Sequence, residues 1–125
     1  MKILIFILVT LYANATYAEP DASYHCMMKE HAVITSTGNL SRKKRTEFKF
    51  TWKNNEVAFG GGFPISRMKI KRVDSEESFH AQNLGSDEFL TRSILVFKNG
   101  KMWFTENYGH LAGVTTIYSS CEKSK

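Results

Sequence analysis

Cysteine and proline are scarce in this chain, two of each in 125 residues, and no apolar run is long. The longest, Ile3 to Tyr12, has ten residues, whereas a membrane-spanning helix takes about 20. Cys26 and Cys121 lie far apart, so neither belongs to a C-x-x-C redox motif. His25, His31, His80 and His110 are dispersed, with no H-x-x-x-H pair and no cysteine at metal-ligand spacing. No serine occupies a G-x-S-x-G setting, and a disulfide would remove both cysteines as nucleophiles. Asp74, Glu76, Glu77, Asp87 and Glu88 fall in two turn-like stretches, where carboxylates are normally solvated rather than held in a cleft that tunes them for acid–base work. The residues therefore predict a protein that is not an enzyme and that carries no metal and no cofactor.

What is present begins with an address. Met1 and Lys2, the apolar run and the small residues ending at Ala18 match a secretory signal peptide. Cleavage after Ala15 or Ala18 fits, and Ala18 leaves a polar terminus at Glu19-Pro20. The chain is read as a signal over 1–18 and one domain over 19–125, periplasmic or secreted, with no transmembrane segment in the mature part. Of the 17 bases only Lys2 is lost, leaving 16 against 12 acids, a net charge of +4. Both signs are interspersed, so nucleic acid is not the expected partner. In an oxidising compartment the two cysteines predict one structural bridge.

Periodicity in the mature chain is two. Phe48, Phe50 and Trp52 alternate with Glu47, Lys49, Thr51 and Lys53, the pattern of a half-buried strand. Met68 and Ile70 alternate with Lys69 and Lys71, and Phe79 and Ala81 with Ser78, His80 and Gln82. Cys26, Met28, Ala32 and Ile34 share one parity, interrupted only by Glu30. Asn99-Gly100 lies between two apolar runs, the strongest short signal for a type I′ hairpin, and Asn54-Asn55 is read as a second. One helical turn is expected over Ser86 to Leu90.

Eight strands follow, over 24–36, 46–53, 56–60, 66–73, 78–83, 89–97, 101–106 and 112–121. Short connections make successive strands neighbours. An eight-stranded meander has two open edges unless it closes. A bridge between the cysteines on its first and last strands would bring those edges together. The expected fold is all-β: a single antiparallel meander, closed or strongly coiled into a small barrel and joined by Cys26–Cys121. Most of Phe48, Phe50, Trp52, Phe79, Phe89, Phe97, Trp103 and Phe104 should fill its core. A barrel of this size is either packed solid or holds one small ligand.

Arg42, Lys43, Lys44 and Arg45 form the sharpest charge feature, following the turn-rich segment 37–41. With Lys49, Lys69 and Lys71 on polar strand faces they are candidates for binding an anionic envelope component or a protein. The alternative role of such lysines is to blunt exposed strands against aggregation. Phe59-Gly60-Gly61-Gly62-Phe63-Pro64 lacks the Lys-Ser/Thr and the helix of a phosphate loop. Its glycines suit a sharp bend, and Phe59 and Phe63 are candidates for a ligand portal. Two function classes stay open: a non-catalytic interaction module, expected as a monomer, and a lipocalin-like carrier of a small apolar ligand.

Tyr24-x-Cys26 just after the signal, a final cysteine at Cys121 and a short β meander between them resemble the small periplasmic inhibitors of C-type lysozyme. That resemblance implies a compact eight-stranded barrel with a disulfide, acting by plugging the lysozyme cleft. The family's Ser-Gly-x-x-Tyr loop and Trp-x-Lys-Gly turn have no counterpart here. Phe97-Lys98-Asn99-Gly100 and Tyr108-Gly109 are the nearest segments, and no functional residue is carried over.

Overall fold

A computed structural model of the protein describes residues 22–84, 91–108 and 113–124. The signal-like segment, the helical turn expected over 86–90, and His110 lie outside the described residues. Nine strands run in chain order: β1 (Ala22–Ile34), β2 (Leu40–Arg42), β3 (Glu47–Lys53), β4 (Glu56–Phe59), β5 (Arg67–Ser75), β6 (Ser78–Leu84), β7 (Thr91–Lys98), β8 (Lys101–Tyr108) and β9 (Val114–Lys123). β2, absent from the expected set, is a three-residue piece that pairs with the far end of β1 while β3 pairs with its beginning. The other edge of β1 pairs with β9 from Tyr24 to Ile34. The meander therefore closes into an eight-stranded antiparallel barrel, with β2 as an extension of the β3 position.

Following the pairings from Ala32 leads through Thr116, Thr105, Ile94, Gln82, Lys69 and Glu56 to Lys53. Its neighbour Trp52 pairs with Ala22, at the opposite end of β1. That offset is the stagger a closed barrel requires, and it tilts the strands against the barrel axis. At one end sit the hairpin turns Asn54–Asn55, Glu76–Glu77 and Asn99–Gly100. Asn99 and Gly100 both take positive φ, 48° and 80°, as a type I′ turn demands. In the Asn54–Asn55 turn only Asn54 does, at 51°, so that turn is of another type.

Inward side chains fill the barrel. Tyr24 stacks on Phe50 with centroids 4.9 Å apart, and Phe97 lies 4.8 Å from Tyr24 and 5.3 Å from Phe50. Trp52 and Phe79 meet at 4.7 Å. All five rings are buried, and each contributes about 1.5–3 kcal/mol by leaving water. Cys26 faces Cys121 directly across β1 and β9 and is bonded to it, with Cα atoms 4.0 Å apart.

Two expectations about facing need correction. A β-bulge at Lys29 shifts the β1–β9 register between Met28 and Glu30. One extra residue reverses which side chains face inward. Beyond the bulge His31 and Val33 pair with buried Ile117 and Thr115, while Ala32 and Ile34 turn outward, Ile34 being 46% exposed. Trp103 also leaves the core set. It stands between buried Met102 and Phe104 and so points outward, 45% exposed.

Candidate interaction faces

Alternation along β3 and over the first four residues of β5, Arg67 to Ile70, places Lys49, Lys53, Arg67 and Lys69 on one outer wall, all exposed. Lys53, Glu56 and Lys69 form a single cross-strand row. Glu56 is engaged by Arg67, Nε to Oε1 3.3 Å, so the two lysines of the row flank an acid already paired. Lys53 and Arg67 were not singled out from the sequence. The signal was their shared parity with Lys49 and Lys69, which acquires meaning only when the three strands are adjacent.

Three open grooves lie on this side, and each includes one of the candidate lysines. One of about 270 Å³ is lined by His25, Glu47, Phe48, Lys49, Gly60 and Gly61. Another, about 300 Å³, is lined by Asn55, Glu56, Arg67, Met68, Lys69 and Asn83. The third, about 580 Å³, is lined by Asn54, Asn55, Ile70, Lys71, Arg72 and Val73. It lies where β4 stops pairing at Lys69 while β5 continues to Ser75 beside β6. Of the acids on this side, Asp74 binds Arg72 at 2.9 Å, and Glu47 lies 3.6 Å from the His25 ring.

The basic run divides. Arg42 lies in β2 and is ion-paired with Glu30. Lys43 donates its backbone N–H to the His31 carbonyl at 2.7 Å, and the Lys44 carbonyl accepts from the His31 ring, Nδ1 to O 3.1 Å. These bonds fix the backbone between β2 and β3 and leave the side chains of Lys43, Lys44 and Arg45 in solvent.

Phe59 and Phe63 stack on each other, centroids 4.2 Å apart and planes within 10°. Phe63 also contacts Phe48 at 4.6 Å and Phe104 at 4.9 Å. The Gly-rich segment thus folds two rings onto the core. Gly62, at φ +99°, brings its backbone against the Glu47 carbonyl and accepts a hydrogen bond from the Thr46 hydroxyl, 2.8 Å.

One buried acid escaped the sequence reading. Glu106 is 5% exposed and accepts a hydrogen bond from the Ser93 hydroxyl at 2.7 Å. Ser93, Glu106 and Thr115 form one inward row across β7, β8 and β9. Its parity with Met102 and Phe104 was the available signal. A lone carboxylate held by one hydroxyl is a polar anchor in the barrel wall. Among the described residues no three histidine, cysteine or acidic side chains are placed to hold a metal ion.

The wall across the barrel differs in kind. Val96, Trp103 and Tyr118 face outward in one row over β7, β8 and β9, with the rings of Trp103 and Tyr118 5.4 Å apart. By architecture the protein is thus a disulfide-closed, eight-stranded antiparallel barrel with a ring-filled interior, one basic wall and one aromatic wall. No protein-family model, curated protein or solved structure matches the chain.

Proposed function

We propose that this protein is a non-catalytic binding module of an oxidising compartment, periplasmic or secreted, that captures an anionic partner on its basic wall. One observation carries the reading: Lys49, Lys69 and Lys71 each line a groove, and all three grooves lie along β3, β4 and β5. Cations of one sign beside concave surface concentrate field lines and raise the local concentration of an anionic ligand. The disulfide supports the compartment, since such bridges persist where thiols are not kept reduced. The resemblance in outline to lysozyme inhibitors points to a related activity, occlusion of a partner by a rigid barrel, and contributes no residues to the wall.

The carrier reading shares the architecture. Here, however, Phe50, Trp52, Phe79 and Phe97 occupy the volume an internal ligand would take, so carriage requires these rings to move. Native mass spectrometry of protein purified from its own compartment distinguishes the two, because a carrier retains a ligand mass that denaturation releases.

The test of the basic wall is binding to immobilised heparin as a polyanion probe. The triple variant Lys49→Gln/Lys69→Gln/Lys71→Gln is expected to lose about tenfold or more in affinity, with the residual binding less salt-dependent. The control Lys29→Gln/Lys123→Gln, two exposed lysines outside both walls, should bind nearly as the parent does. Equal losses in both variants would reduce the effect to net charge and remove the basis for a site.

A further inference from the structure

In a ring of eight strands β8 stands opposite β4, and its outer face is not that of a solvated sheet. Trp103 is 45% exposed and Ile94 is 51% exposed, with half-buried Val96 and Tyr118 beside Trp103 in its cross-strand row. Single exposed apolar side chains are ordinary, but a contiguous set across three adjacent strands marks a contact surface. The charges around it are one-sided. Arg92, Lys98 and Lys101 point outward on β7 and β8, and neither strand presents an outward acid. The acids at its margins are Glu122 on β9, Glu30 on β1, which is ion-paired with Arg42, and exposed Glu77, whose carbonyl accepts the Asn99 N–H next to Lys98 at 3.0 Å.

We infer that this aromatic wall docks on an anionic lipid surface, with Trp103 entering the headgroup layer and Arg92, Lys98 and Lys101 meeting lipid phosphates. Indole and phenol rings carry a polar edge on an apolar body and settle at the membrane–water boundary. Lysine and arginine stems lie along apolar surface while their charged heads reach anions. Shape selects lipid over a protein partner. The outside of a closed barrel is convex, so Trp103 stands on a crest rather than in a pocket. A protein partner must supply a matching hollow, whereas a fluid bilayer conforms to the crest. Charge disfavours a second copy, because stacking two crests about an axis along β8 sets Lys101 against Lys101. The inference is independent of the anionic-partner reading, which uses the opposite side of the barrel.

The two tryptophans make the test direct. Trp52 is 0% exposed within the core, so a change in emission on adding vesicles reports Trp103. The oxidised full domain is titrated with phosphatidylcholine vesicles containing about one-third phosphatidylglycerol, and with phosphatidylcholine alone. A blue shift and quenching by brominated acyl chains are expected with the anionic vesicles, and little change without the anionic lipid. Lys98→Gln and Lys101→Gln should each weaken binding roughly fivefold. Trp103→Ala, read by co-sedimentation, should weaken it about tenfold or more, with an unchanged thermal midpoint showing that the barrel still folds. Lys49→Gln/Lys69→Gln/Lys71→Gln should retain vesicle binding. Loss of binding in that triple variant with retention in Trp103→Ala overturns the inference and leaves the basic-wall reading standing. No shift with anionic vesicles overturns it as well, as does a blue shift that grows with protein concentration alone and signals self-association.

Discussion

Replacing both cysteines by alanine should cost this domain about 5–6 kcal/mol of stability, by freeing the unfolded chain rather than by opening the barrel. Cys26 and Cys121 are separated by 95 positions, so the bridge holds nearly all of the barrel in one loop. In the chain-entropy model, closing a loop of that length lowers the free energy of folding by about 4.7 kcal/mol at 25 °C. Total stabilities of such domains are about 5–15 kcal/mol. Removing two nearly buried sulfurs leaves a small void whose cost adds to this, on the order of 1 kcal/mol. The native seam does not depend on the bridge, because β1 and β9 remain paired from Tyr24 to Ile34 on either side of it. The loss is therefore located in the unfolded ensemble, which gains freedom and exposes more surface. Urea unfolding followed by far-ultraviolet circular dichroism should show a much lower midpoint for Cys26→Ala/Cys121→Ala than for the oxidised parent, together with a steeper dependence on denaturant. Amide exchange along β1 and β9 should still be slow up to the global transition. A loss below about 1 kcal/mol would refute the loop argument. Fast local exchange confined to the β1–β9 seam would show instead that the bridge holds the strands together in the native state.

Other consequences follow from single positions. An added Cβ at Gly62 would lie 2.5 Å from the Glu47 carbonyl oxygen at a φ of +99°, so Gly62→Ala should cost about 2–4 kcal/mol. Gly61→Ala meets nothing within 4 Å and should be nearly neutral; equal thermal shifts in the two variants would contradict the packing of the Gly-rich segment. Tyr24 is buried, and its hydroxyl has no hydrogen-bond partner among the described residues, so Tyr24→Phe should be neutral or stabilising by up to about 1 kcal/mol. Burial, aided by the Glu77 carboxylate, pushes the Tyr24 phenol above its ordinary value of 10.0. Above that pH the unfolded phenol releases its proton before the folded one does, and parent stability falls. Tyr24→Phe should flatten this alkaline decline relative to the parent, and identical pH profiles would contradict it.

Sequence and structure agree most closely where the inference needed only neighbouring residues. Phe48, Phe50 and Trp52 turn inward because a strand places alternate side chains on opposite faces, and all three are buried. The same local rule marks Asn99-Gly100 as a hairpin. It also holds for Glu106, which shares the inward parity of Met102 and Phe104, and for Trp103, which stands between those two and points outward. Lys29 shows where the rule stops. A bulge leaves no mark in composition, yet it sends His31 and Val33 inward and Ala32 and Ile34 out.

What the sequence by itself determined, then, was the class of fold and the pairing of its ends: period-two hydrophobicity, short turns and two terminal cysteines admit few arrangements other than a closed antiparallel meander. The composition of each wall was decided by tertiary structure alone. Lys49 and Lys69 are 20 positions apart in the chain, yet they share a surface because only the four-residue strand β4 lies between their strands. Trp103 and Tyr118 touch because β8 and β9 pair in one register. Facing is a local property of a strand, readable from alternation. Adjacency depends on closure, stagger and bulges, which arise only when all the strands are hydrogen-bonded at once.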